Sequence, residues 1–156
     1  MTFRIRALCL LVPVLLTLSA CSTAGGRDGA SSRVGGAIEL AVSETCTEGS
    51  DSQCVLVNSQ HIMLPSAFQR AGVEAAAVAQ GERQNAVDVT FTDDGAAILH
   101  TLTEQAAGGT GRLVMKISDE IVVAVMVAEA LEGKQLQIAL SPDDDAQEIV
   151  NLIQGN

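Results

Sequence analysis

Val87-Asp88-Val89-Thr90-Phe91-Thr92-Asp93-Asp94-Gly95-Ala96 changes its period halfway along. Val87, Val89 and Phe91 alternate with Asp88 and Thr90, the pattern of a strand with one buried face. Thr92-Asp93-Asp94-Gly95 then opens a helix, with a capping hydroxyl first and acids where the helix dipole favours them. Ile98, Leu99, Leu102 and Ala106 follow at helical spacing, and Gly108-Gly109 ends the run. This strand-to-helix passage anchors the reading of both flanks.

Downstream, Arg112 to Ser118 alternates through Leu113, Met115 and Ile117, a second strand. Ile121 to Ala128 is apolar on both faces, which predicts a strand buried centrally. Lys134 to Leu140 alternates Leu136, Ile138 and Leu140 against Gln135 and Gln137. Ser141-Pro142-Asp143-Asp144 places a capping Ser first, Pro in the first turn and an acid three residues after the cap. Ala146, Ile149, Val150 and Ile153 then form one apolar stripe that Gly155 stops. Upstream, Ala37 to Val42 and Cys54 to Val57 read as short strands, and alanine-rich Pro65 to Gln80 reads as helix, weakened at Gly72. The order predicts an α+β domain, a mostly antiparallel sheet with helices packed on one face.

The chain begins with an address. Arg4 and Arg6 precede the apolar run Ala7 to Leu16, broken only by Pro13, and Leu18-Ser19-Ala20-Cys21 follows. A basic start, a short apolar run and small residues before a cut describe a secretory signal peptide over residues 1–20. The run is too short for a transmembrane helix, which needs about 20 apolar residues. Leu-Ser-Ala-Cys resembles the lipobox of bacterial lipoproteins. That resemblance implies diacylglycerol on the Cys21 thiol, cleavage before it, and acylation of the new amino group. More than one acyl chain, at about 0.8 kcal/mol per buried methylene, anchors stably. The expected location is therefore the extracytoplasmic face of a bacterial membrane. Residues 22–36, rich in Gly and Ser, form a tether with an r.m.s. reach of roughly 20 Å. The domain occupies residues 37–156.

The 156 residues carry nine Lys plus Arg against nineteen Asp plus Glu, a net charge of -10. Cleavage after Ala20 removes two bases and no acid, so the mature charge is -12. Phosphate-based binding of nucleic acid, which needs a basic face, is excluded. Three Phe, no Tyr and no Trp supply no stacking platform for bases and no cage for quaternary amines.

Cys46 and Cys54 bracket a polar loop with Gly49, Ser50 and Asp51. An exported chain meets an oxidising compartment, where two remaining cysteines are expected to pair. The competing reading, a metal site or reactive thiol, wants further Cys or His at ligand spacing. His61 and His100, the only histidines, lie away from the pair in sequence.

From Val87 onward the ordered features resemble the head subdomain of the first periplasmic domain of SecD and SecDF, accessory subunits of the Sec translocase. The carriers are the Val87–Ala96 passage, the Leu102-Thr103 pair, Gly111-Arg112-Leu113-Val114-Met115-Lys116-Ile117, and the last helix ending Ile153-Gln154-Gly155. The likeness extends to about residue 50. Two loops depart from the family pattern. The turn Ser118-Asp119-Glu120 lacks the family's Gly, and Ala128 to Gly133 has one Gly of the usual pair. The resemblance implies the head fold and contact with exported polypeptides or Sec components. It does not imply proton coupling, because this chain has no intramembrane acid.

No enzyme is expected. Asp93-Asp94-Gly95 lacks the alternating ligands of a calcium loop. Asp143-Asp144-Asp145 reads as electrostatic capping. Glu44, Glu48 and Asp51 read as solvated, His61 as capping or surface, and His100 as the polar edge of its helix. Neither a Gly-x-Ser-x-Gly elbow nor a phosphate loop occurs. No metal or cofactor is implied, and no ligand-binding residue is singled out. The function read here is a membrane-anchored, non-catalytic polypeptide-binding module linked to protein export. The alternative is a structural or ligand-binding envelope lipoprotein that reuses the fold.

Overall fold

The computed structural model describes residues 36–81 and 85–155. The expected signal peptide, the expected lipidation residue Cys21 and the expected tether up to residue 35 lie outside the described residues. Everything described belongs to the unit Ser32–Asn156.

Ten elements follow in order: β1 Ala37–Glu44, β2 Cys54–Val57, β3 Gln60–Met63, β4 Gln69–Val78, β5 Ala86–Phe91, α1 Asp93–Ala106, β6 Gly111–Ile117, β7 Glu120–Met126, β8 Gln135–Ala139 and α2 Ala146–Gln154. Six strands form one antiparallel sheet in the order β7-β6-β1-β4-β5-β8, and β2 pairs with β3 in a separate hairpin. The expected α+β class and helix-covered antiparallel sheet are what the structure has.

The strand alternation read at Val87 puts Val87, Val89 and Phe91 into the core and leaves Asp88 exposed. Phe91 is fully buried, worth about 1.5–3 kcal/mol for a side chain of its kind. Thr92 caps α1 as expected, its hydroxyl accepting from the Gly95 N–H at 3.1 Å. Gly95 has a further role. A Cβ there would stand 2.3 Å from the Gly72 carbonyl oxygen, so only glycine lets α1 start this close to β4. The Thr92 N–H donates to that same carbonyl at 2.9 Å.

This close approach explains one correction. Pro65 to Gln80 is not a helix; Gln69–Val78 is the strand β4, paired with β1 on one side and β5 on the other. Alanine's helix propensity is a weak prior that tertiary context overrides. Here Ala71, Val73 and Ala76 are buried under both helices, where small side chains let the layers meet.

A second correction concerns β7. It is an edge strand, not a central one. Its two apolar faces have separate covers. Val122 and Val123 join the main core, while Ala124 packs with Val57, Ile62 and Val114 under the β2–β3 hairpin. A continuous apolar run thus marks a strand covered on both faces, whatever its position in the sheet.

The third correction is the start of the last helix. Ser141 does not cap it; α2 begins at Ala146, capped by Asp145, whose carboxylate accepts from Gln147 N–H at 2.8 Å and Glu148 N–H at 3.1 Å. Ser141 and Asp144 close a separate turn, in which Ser141 N–H donates to the Asp144 carboxylate at 3.0 Å. Gly155 ends α2 with φ 73°, the left-handed stop expected there. Gly36, placed in the tether by sequence, belongs to the domain: its carbonyl accepts from Val73 N–H at 2.8 Å.

Candidate functional site

Both terminal strands of the sheet, β7 and β8, keep one edge without a strand partner among the described residues. The sheet curls until these two edges line one groove of about 390 Å³. Its floor is Leu113, Met115 and Val123, all buried. Val125 and Met126 form the β7 rim, and Leu136 lies on the β8 side. Met126 is 66% exposed, the most open of the large apolar residues described. Glu129 is the charged residue of the lining. An edge strand presents unpaired N–H and C=O groups, so the groove combines apolar contact with backbone recognition.

The loop from β7 to β8, residues 127–134, crosses this region and is held from below. Thr103, fully buried in α1, donates its hydroxyl proton to the Leu99 carbonyl at 2.8 Å and accepts from Leu131 N–H at 2.9 Å. His100 Nδ1 lies 3.1 Å from the Leu131 carbonyl oxygen. The Leu102-Thr103 pair noted in sequence therefore does two jobs: Leu102 fills the core and Thr103 pins the loop.

The β2–β3 hairpin lies over β7 and β6. Arg112 Nε donates to Gln60 Oε1 at 2.6 Å, and Asn58, at the hairpin tip, donates to Ser141 Oγ at 3.0 Å just beyond β8. A disulfide joins Cys46 and Cys54 at its base, eight residues apart. The hairpin thus touches structure beside both edges of the groove.

The remaining sequence candidates are dispersed. His61 sits inside β3 rather than at a cap, its carbonyl accepting from Cys46 N–H at 3.0 Å. Asp51 accepts from Gln53 N–H at 2.7 Å in the exposed disulfide loop, and Glu44 and Glu48 are exposed. Asp93 pairs with Lys134 at 2.6 Å, which raises the Lys134 pKa above its ordinary value through that charged hydrogen bond. Among the described residues no group of three His, Cys, Asp or Glu is placed to hold a metal ion. Also among them, no helix is long and apolar enough to cross a membrane. Sequence reasoning missed the groove residues Val125 and Met126. Both lie inside the register with β6, Val125 opposite Leu113 and Met126 opposite Arg112, and the signal available was their place near the end of the apolar run Ile121 to Ala128.

The family model of the SecDF P1 head subdomain matches residues 42–156, from the middle of β1 to the end of the chain. The chain belongs to the SecDF P1 head subdomain family. A solved structure of SecDF, described as a membrane component that enhances protein export, has the same fold. Its TM-score is 0.54 at 17% identity, covering 78% of this chain and 63% of that one. The chain therefore spans less than two thirds of the SecDF chain it matches. No curated protein matches it.

Proposed function

We propose that this protein is an extracytoplasmic, non-catalytic binding module that holds extended polypeptide in the groove between β7 and β8, and that it acts beside Sec-dependent export. The observation that carries the reading is the pairing of an apolar floor with two open strand edges in one groove. Membership of a head subdomain family from an export component supports the link to export. The lipobox supports anchoring through lipid on Cys21, with the Gly/Ser tether carrying the domain off the bilayer. Its partners in this reading are exported polypeptides or Sec components, and the membrane through its lipid; it takes no nucleic acid and no cofactor.

A photocrosslinking residue at Met126, introduced in living cells, should capture nascent secreted chains or Sec subunits, and one at exposed Glu148 on α2 should not. Equal capture at both positions, or capture of neither partner, would remove the reading. In the same cells a Cys21→Ala variant should leave the membrane fraction.

The apolar lining also fits an acyl chain, which favours a second reading as a lipid-binding envelope lipoprotein. Lipid co-purifying with the wild type and lost from Met126→Asp would establish that reading.

A further inference from the structure

We infer that the groove selects extended apolar segments flanked by Lys or Arg over those flanked by acids. This rests on the polypeptide-binding reading above and adds the charge of the occupant. Residues 37–156 carry five Lys plus Arg against eighteen Asp plus Glu, a net of -13. The asymmetry is sharper at the groove. Its lining has Glu129, exposed, and no Lys or Arg. Gln137, also in the lining, has its side-chain amide held by the Asp88 carboxylate at 2.8 Å, which brings a second acid alongside β8. Asp143, Asp144 and Asp145 follow within six residues of the lining residue Ala139.

Among the described residues, the nearby cations are engaged elsewhere. Lys134 is on Asp93 at 2.6 Å, and Lys116 is on Glu39 at 2.5 Å with its ammonium 4.9 Å from the Phe68 ring centre. Arg112 is bound to Gln60 and to the carbonyls of Thr110 and Gly111. A polypeptide entering the groove therefore meets a negative field that no free cation among the nearby described residues balances. Exposed charges act across roughly 10 Å at 0.1 M salt, far enough to reach residues flanking a bound segment. Such complementarity sets partner choice and association rate more than it sets contact energy. An extended chain alone can also pair the open N–H and C=O groups of the edges; an acyl chain leaves them to water.

The test uses the full chain in nanodiscs of neutral phosphatidylcholine, with empty nanodiscs as the blank. Three labelled peptides share one alternating Val/Thr centre and end in two Lys, two Ser or two Glu at each side. Fluorescence anisotropy at low salt should show the Lys-ended peptide binding at least tenfold tighter than the Glu-ended one. At fivefold higher salt the ratio should fall below about threefold. Glu129→Lys should shrink the low-salt ratio, and Met126→Asp should weaken the Ser-ended peptide; both residues are exposed, so both variants should keep the wild-type circular dichroism. Equal affinities for Lys- and Glu-ended peptides, with Met126→Asp still weakening them, would overturn the charge inference and leave the groove reading standing. No binding of any peptide would overturn both.

Discussion

Thr103 shows how much one side chain can organise. It is fully buried, and its hydroxyl is donor to its own helix and acceptor for the loop that crosses the groove. Thr103→Val keeps the shape and strands the Leu131 N–H. We expect a loss of about 1–3 kcal/mol in chemical denaturation, with faster amide exchange at Leu131 than the global loss explains. An unchanged Leu131 exchange rate would remove the pinning role. Ser118 is the opposite case. It stands at φ 56° in the two-residue turn between β6 and β7. A left-handed residue other than Gly costs about 1–2 kcal/mol, partly offset by glycine's greater freedom in the unfolded chain. Ser118→Gly should therefore raise the melting temperature by a few degrees; a fall would mean that the hydroxyl matters more than the backbone.

At the scale of elements, the sequence was most legible where local rules and packing agreed. The strand-to-helix passage at Val87–Ala96 has an alternating core face, a capping Thr and a glycine at the close approach, and the structure uses all three. It was least legible at β4, where alanine's preference pointed to helix and the two covering helices demanded a thin central strand. The cap of α2 lies four residues beyond the expected one because Asp145 reaches two orphan N–H groups and Ser141 is drawn into its own turn. The β2–β3 hairpin is half legible: Cys54 to Val57 reads as strand, whereas Gln60–Met63 carries no such pattern. Its turn puts Asn58 and Ser59 at φ 45° and 63°, without the glycine that advertises such turns. The disulfide at the hairpin's base should contribute about 2–3 kcal/mol through the short loop it closes. In a Cys46→Ser/Cys54→Ser variant, amide protection should drop first in β2 and β3 and persist in β4 and β5. Uniform loss across all strands would mean that the hairpin and sheet unfold as one unit.

For the whole molecule, the site was legible as a kind and not as a place. The resemblance implies contact with exported polypeptides, which open strand edges and an apolar groove can supply, yet no sequence pattern says that β7 and β8 both end the sheet. That fact arises from the strand order, in which sequence neighbours β7 and β8 sit at opposite ends. The loop that joins them must therefore cross the fold, and Thr103 and His100 hold it where it crosses. In our inference the acidic balance acquires a function only with this geometry, since the groove lining has Glu129 and no Lys or Arg, while Lys116 and Lys134 pair elsewhere. The central claim, that these two edges receive extended polypeptide, is tested most directly by amide hydrogen exchange on the full chain with and without the Lys-ended peptide. The account predicts that exchange slows at least tenfold within residues 120–126, 135–139 or both, and stays unchanged in β1 and β4. Protection confined to α2 or the disulfide loop, with both edge strands exchanging as before, would contradict it.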